Sequence, residues 1–334
     1  NQTEQGRGGA ICSIDASPII SGNLFINNSA YRNGGAIAIE TVREEMQQVV
    51  IANNVFISNT ARSLGGAIYV QGPEPPFLPW TLQWIYGNQV LSNTAQMGGG
   101  IFANYYCSAL IEHNLIAYNR TYGTSSTCMG GGLGIAKPLT ISVDSNVIRQ
   151  NIAGRGDGIY IGDALPRSIT VTNNVLAANG QREILIERAS PHIANNTIWG
   201  AGTPNTVGID LLDLSYPKIA NNLITYEGYG LRGDSKAAPT IRYNDLWRNQ
   251  VANYSGVNPE SNNLSVDARL RDPANGDYHL EAGSPLIDAG ANEEAPAYDF
   301  DGEARPIGSR VDIGADEYNP PPATDTPTPT QTPM

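Results

Sequence analysis

The sequence predicts an all-β chain wound into a right-handed parallel β-helix, a solenoid of about nine to ten coils with a C-terminal cap. Three observations point there. An apolar–x–x–Asn–x–apolar unit recurs along the chain, a glycine-rich element alternates with it, and the composition is rich in Gly (36 of 334 residues) but only 16% charged.

The Asn unit is the first element. It reads Ile20/Asn23/Phe25, Ile51/Asn54/Phe56, Ile85/Asn88/Val90, Ile111/Asn114/Ile116, Val143/Asn146/Ile148, Val171/Asn174/Leu176, Ile193/Asn196/Ile198, Ile219/Asn222/Ile224 and Ile241/Asn244/Leu246. The spacing of 22 to 34 residues suits one solenoid coil each. An inward amide at each corner can bond its equivalent in the next coil, which predicts an Asn ladder along the axis. Asn28, Asn59, Asn93, Asn119, Asn151, Asn179 and Asn249, five residues on, predict a second row.

The glycine element follows, at Gly34–Ile37, Gly65–Ile68, Gly98–Ile101, Gly156–Ile159, Val207–Ile209 and Gly228–Leu231. Its glycines suit tight corners with positive φ. Each coil therefore carries at least two short strands, and stacking at about 4.8 Å pairs each strand with the coils on either side. Leucine-rich repeats and propellers fit less well. No helical periodicity lies between the strands, and no four-strand blade period recurs. Two insertions interrupt the pattern, at Gln71–Trp84 and from Tyr105 to Cys128. The domain reading is residues 1–257 for the solenoid, 258–318 for an acidic cap and 319–334 for a Pro/Thr-rich linker.

Composition excludes some classes. Twelve acids against two arginines between Asp272 and Glu317 carry most of the net charge of −12, and the chain has three Lys. No basic stripe is present to displace phosphate counterions, so nucleic acid is not an expected partner. No stretch reaches the roughly 18 apolar residues of a membrane span. Three cysteines make no framework. Cys107 and Cys128 could pair, with Cys12 left as a free and buried thiol.

Beyond Asn258 the repeat gives way to Asp277–Gly290, Asp299–Pro306 and Asp312–Glu317. With the coils upstream, these blocks resemble the C-terminal region of bacterial right-handed β-helix repeat surface proteins of the choice-of-anchor Q type, within the pectate-lyase-like solenoid superfamily. The resemblance implies a secreted or surface-attached protein. The segment is expected to cover the open end of the solenoid, whose strand edges would otherwise pair with other chains, with Asp299 or Asp301 joined to Arg305. Asp299-Phe300-Asp301-Gly302 could alternatively hold Ca²⁺, since two carboxylates flank a tight turn. The Pro/Thr tract after Pro320 reads as an extended spacer, leading to a further module or a cell-wall anchor.

Solenoids of this class host polysaccharide lyases and hydrolases, so polysaccharide is the expected partner. The polygalacturonase motifs Asn-Thr-Asp, Asp-Asp, Gly-His-Gly and Arg-x-Lys do not occur. Aligning the strand after the glycine element places Tyr69, Phe102, Tyr160, Leu185, Asp210 and Arg232 in one outward row. Tyr69, Phe102 and Tyr160 would form a sugar platform. Asp210 and Arg232 are the candidate catalytic pair, with Glu187, Asp213 and Asp234 as binding groups suited to a uronate. Ordinary surface aromatics and ion pairs are the plainer explanation. Glu112 and Asp144 form another cross-coil acidic pair, and His113 reads as a turn residue. Three functions follow: a glycan-binding surface module, a polysaccharide lyase or hydrolase with a non-standard site, and a structural stalk.

Overall fold

The computed structural model describes residues 6–42, 48–73, 82–123, 125–164 and 168–320, with the short strand Gln2–Thr3. Among them the strands form three long parallel sheets and one short one. Sheet 1 runs from Ile11–Ile14 to Ala252–Ser255 and holds the glycine-element strands. Sheet 2 runs from Ile19–Ser21 to Thr240–Arg242, and sheet 3 from Leu24–Ile26 to Asp245–Trp247. The ladder Asn sits at the corner between sheets 2 and 3. The chain is therefore a right-handed parallel β-helix.

Inward positions stack like on like. Ile20, Ile51, Ile85 and Ile111 lie in register in sheet 2, and Ile37, Ile68, Ile101 and Leu133 in sheet 1. The Phe25 and Phe56 rings stack face to face at 4.9 Å. Each glycine element allows a corner that a side chain would block. Gly34 has φ of 66°, and a Cβ on Gly35 would lie 2.0 Å from the Gly66 carbonyl oxygen.

The Asn ladder forms as expected. Asn146 Oδ1 accepts from both the backbone N–H and the side chain of Asn114, while its Nδ2 donates to Ile111 O, Asp144 O and Asn174 Oδ1. The same pattern runs from Asn23 to Asn263, an extra rung beyond the predicted unit. The residue before each rung from Asn23 to Asn244 is left-handed: Asn53, His113, Ser145, Asn173, Asn195, Asn221 and Tyr243 among them. His113 is thus the turn residue expected. The second ladder runs from Asn28 to Asn179 and then changes chemistry. Glu183 Oε1 accepts from Asn179 N, where the next coil offers Ala201 in place of an Asn.

Three expectations need correction. Tyr105–Cys128 is no insertion, because Ser108–Glu112, Leu115–Ala117 and Arg120–Thr121 are ordinary coil strands. Cys107 and Cys128 are both free: Cys107 points into the lumen core, and the Cys128 sulfur lies 3.3 Å from Ser125 Oγ. Cys12 is a free thiol but exposed. Most of the Gln71–Trp84 insertion, and the Pro/Thr tract from 321 on, lie outside the described residues.

The C-terminal segment does more than cover an end. Residues 260–264 hydrogen-bond onto the last coil, and Leu270–Asp272 pairs antiparallel with Asp277–Leu280. The chain then turns back along the flank of the solenoid. There the outward amides of the left-handed corner row hold it: Asn221 Nδ2 donates to Ala291 O, Asn195 Nδ2 to Asp312 O and Asn173 Nδ2 to Tyr298 O. Leu223, Ala268, Leu280, Leu286 and Ile313 form a small second core beneath it. Arg305 does not pair with Asp299 or Asp301 through its side chain. Its Nη1 donates to Glu317 Oε2 at 2.7 Å in a sealed ion pair, and Nη2 donates to the carbonyls of Gly314 and Ala315.

Candidate functional site

The row in sheet 1 has the register expected of it, with one member missed. Tyr69 aligns with Phe102, Phe102 with Gly134, Gly134 with Tyr160, Tyr160 with Leu185, Leu185 with Asp210 and Asp210 with Arg232. It does not form an exposed platform. Tyr69 and Phe102 are 1% exposed and Tyr160 is 3% exposed. The rings lie down against the sheet instead of standing off it. Phe102 covers Gly134, where a Cβ would meet its Cδ2 at 2.5 Å, and Tyr160 folds over Gly162. Leu64, Met97 and Ala136 pack around Tyr69 and Phe102 to complete a satellite apolar cluster.

The charged end of the row is an ion-pair network. The Asp210 side chain is 1% exposed and is gripped by two guanidiniums. Arg232 donates through Nε to Oδ1 at 3.0 Å and through Nη2 to Oδ2 at 2.7 Å, while Arg182 Nε donates to Oδ2 at 2.7 Å. Glu187 pairs with Arg155 and Arg188, and Asp213 with Arg188 and Lys236. Asp234 caps a turn by accepting from the backbone N–H groups of Asp213, Lys236 and Ala237. A base for proton abstraction needs a free lone pair near the surface. Asp210 is instead turned from solvent and held by two guanidiniums.

The two residues considered for Ca²⁺ separate in role. Asp299 is 2% exposed, and its oxygens accept from Asp301 N, Glu303 N and Glu317 N, so it fastens a loop. Asp301 is exposed and faces His279. They do not form the expected pair of ligands.

A concave surface lies on sheet 2, where the returning segment stands beside the outward residues and closes a groove of about 390 Å³. Its floor carries Glu112, Ser142, Asp144, Thr170, Thr172 and His192, and its wall is Glu293–Tyr298. Period-2 alternation with one inward-facing apolar row makes this floor polar. Glu112 aligns with Asp144 and Asp144 with Thr172; Ser142 aligns with Thr170 and Thr170 with His192.

Trp84 and Tyr86 extend the floor on the next coil, both half-buried, with ring centroids 5.3 Å apart. Tyr86 meets the His113 ring edge-on at 5.3 Å. Each carboxylate on the floor has donors. Trp84 Nε1 donates to Glu112 Oε2 at 2.9 Å, and Ser145, Thr172 and Asn173 donate to Asp144. Arg149, on the coil of Asp144, lines a different cavity. At the far end Glu294 binds Arg242 and lies 3.1 Å from His192 Nε2. Burial, with Lys218 and Arg242 nearby, holds the His192 imidazole below its usual range.

Known proteins agree with this architecture. Residues 139–268 match the family described as periplasmic copper-binding protein (NosD), and residues 24–40 and 55–71 match the Chlamydia polymorphic membrane protein repeat. The chain is a right-handed parallel β-helix repeat protein. No curated protein matches this β-helix chain. Both family spans fall on coils, so the repeat is what they share with it, and the groove wall at Glu293–Tyr298 lies outside them. No helix among the described residues is long and apolar enough to cross a membrane.

Glu112 and Asp144 stand out in the sequence as a cross-coil acidic pair, but the groove they line does not. Its wall is formed by residues more than a hundred positions away from the floor at Ser142–Thr172. One signal was present. The doublets Asn173-Asn174, Asn195-Asn196 and Asn221-Asn222 put a second amide at successive corners, and those amides hold the segment that makes the wall.

Proposed function

We propose that this β-helix is an extracellular or cell-envelope module that binds polysaccharide in the sheet 2 groove. The observation that carries the reading is the continuity of the floor: two half-buried rings, Trp84 and Tyr86, lead into a row of hydroxyls and carboxylates under a raised wall. Ring faces suit the apolar faces of sugars, and Ser142, Thr170, Thr172 and Glu112 suit their hydroxyls. Coils about 4.8 Å apart repeat such contacts along an extended chain. The descriptions of both matched families, one periplasmic and one a membrane protein, support the location.

The lining has four carboxylates, Glu112, Asp144, Glu293 and Glu294, with His192 as its single imidazole. Like charges repel, so the occupant is a neutral or amino-bearing glycan and not a polyuronate. Hydrolysis would require carboxylates free to act on either side of a glycosidic bond. Asp144 is tied by three donors and Glu112 by Trp84, which favours holding over cutting.

Affinity electrophoresis through gels containing neutral, amino-bearing and uronic polysaccharides tests this. Retardation is expected in a neutral or amino-bearing gel. Trp84→Ala should weaken it by about tenfold, equivalent to about 1.4 kcal/mol, and Thr170→Tyr should block the floor. Retardation unchanged in both variants, or none in any gel, would overturn the assignment. Release of reducing ends in the same panel would replace binding by cleavage as the function.

A further inference from the structure

A second constellation lies on the other side of the returning segment, independent of the groove. His279, Asp301 and Asp316 converge so that one ligand atom from each lies within 4.8 Å of the others. They come from three separate stretches: the strand Asp277–Leu280, the turn after Asp299, and the Asp312–Glu317 block. His279 is oriented from behind. Its Nδ1 lies 2.5 Å from Asp277 Oδ1, which leaves Nε2 directed at Asp301 Oδ2, 2.8 Å away. Asp316 is anchored through one oxygen only, Oδ2, which accepts from Leu280 N at 2.7 Å.

The three groups open on a cavity of about 150 Å³ between the segment and sheet 3. Val147, Val175, Ala177, Tyr278 and Phe300 make its walls mainly apolar, and Arg149 enters from the solenoid side.

We propose that His279 Nε2, Asp301 and Asp316 form a binding site for a first-row divalent transition-metal ion such as Zn²⁺, with Asp277 fixing the imidazole through its other nitrogen. A carboxylate on the far nitrogen of a metal-bound histidine sets its tautomer and raises its basicity, and Asp277 occupies that position. Ions of this class bind imidazole and carboxylate at about 2.0–2.2 Å, so the ligand atoms of one site stand roughly 3 Å apart. The Nε2–Asp301 separation is already close to that, and Asp316 reaches it with a small movement. An imidazole in the set disfavours Ca²⁺, which takes six to eight oxygens (about 2.3–2.6 Å). Three protein ligands leave a coordination position open toward the cavity, the arrangement of a site that takes an exogenous ligand. Arg149 on the opposite wall suits an anionic one.

Titration calorimetry of the full chain with ZnCl₂, and separately with CaCl₂, tests the site. One Zn²⁺ per chain is expected, at least a hundredfold tighter than Ca²⁺. Asp301→Asn, at an exposed position, and His279→Gln should each weaken Zn²⁺ by tenfold or more. Asp213→Asn, on the distant ion-pair network, should leave it unchanged. Co²⁺ should give visible absorption bands that Asp301→Asn removes. If Asp301→Asn and His279→Gln, shown folded by circular dichroism, bind Zn²⁺ as the parent does, or the parent binds none, the site is only a charge cluster of the cap. Ca²⁺ binding as tight as Zn²⁺ would also overturn it.

Discussion

Asn221 and Ala291 are joined by a reciprocal pair of hydrogen bonds: the side-chain amide donates to the Ala291 carbonyl at 3.0 Å and accepts from its N–H at 2.8 Å. The pair is buried and bridges 70 residues of sequence, so one solenoid corner fixes where the returning segment begins its wall. Asn221→Ala leaves the Ala291 N–H without its partner and its carbonyl with Glu294 N–H as remaining donor, at a cost of about 1–3 kcal/mol. The loss should be local. Hydrogen exchange is expected to accelerate in residues 288–300 while the lumen strands stay protected, and glycan retention should fall because the wall starts two residues later. Uniform acceleration throughout the chain would show that the segment and solenoid unfold as one unit.

The ladder predicts a different kind of loss. Asn146 stands mid-ladder with bonds to the coils on both sides, whereas Asn23 begins the ladder and bonds only forward, to Asn54, and to Ser21 O. Asn146→Ala strands the backbone N–H of Asn114 in the interior and removes one donor from the carbonyl of Ile111, and should destabilise the chain by about 1–3 kcal/mol. Asn23→Ala should cost a fraction of that. Urea unfolding of the two variants, compared by midpoint, checks the ranking. Equal shifts would mean the amides act only as space-fillers.

The solenoid was legible because it repeats. A ladder Asn has one environment in every coil, so the motif that specifies Asn54 also specifies Asn88 and Asn114, and chance cannot sustain that period. The site was not legible for the opposite reason. Whether Tyr69 stands out into solvent or lies flat depends on Leu64 and Met97, which belong to the irregular part of the coil. Alternation correctly placed Tyr69, Phe102 and Asp210 on the outward side of sheet 1, but outward is not the same as exposed. Asp210 shows the limit clearly. Its partner Arg232 aligns with it in register, whereas Arg182 aligns with Val207 and reaches it only through the length of its side chain.

That network yields its own prediction. Asp210→Ala removes a buried carboxylate shared by two arginines and leaves Arg182 and Arg232 close together without it. Both guanidiniums are partly exposed, so water can solvate them, and the expected cost is about 1–3 kcal/mol. Glycan binding in the sheet 2 groove should be unaffected, since Asp210 lies on another sheet. A variant that is stable but no longer retained by any polysaccharide would move the binding face to sheet 1.

Glu227 occupies the place of a ladder Asn, fully buried, with neither carboxylate oxygen hydrogen-bonded. Burial pushes its carboxyl up to about 7, and burial together with the charge of Glu227 also raises Glu183 in the same corner. Burial likewise lifts Asp245 and Asp312 to about 7. The sign follows from proton counting. Between the ordinary carboxylate range near 4.5 and about 7, the folded chain holds protons that the unfolded chain has released, so stability falls as pH rises through that window. Thermal midpoints should therefore be higher at pH 5 than at pH 8. A shift of this size at Glu227 corresponds to no more than about 3.5 kcal/mol. Glu227→Gln keeps the shape, carries no proton to lose, and should raise the midpoint at pH 8 while leaving it nearly unchanged at pH 5. A variant whose gain over the parent is the same at both pH values would mean that Glu227 is already ionised in the fold, held by water or a cation inside the corner.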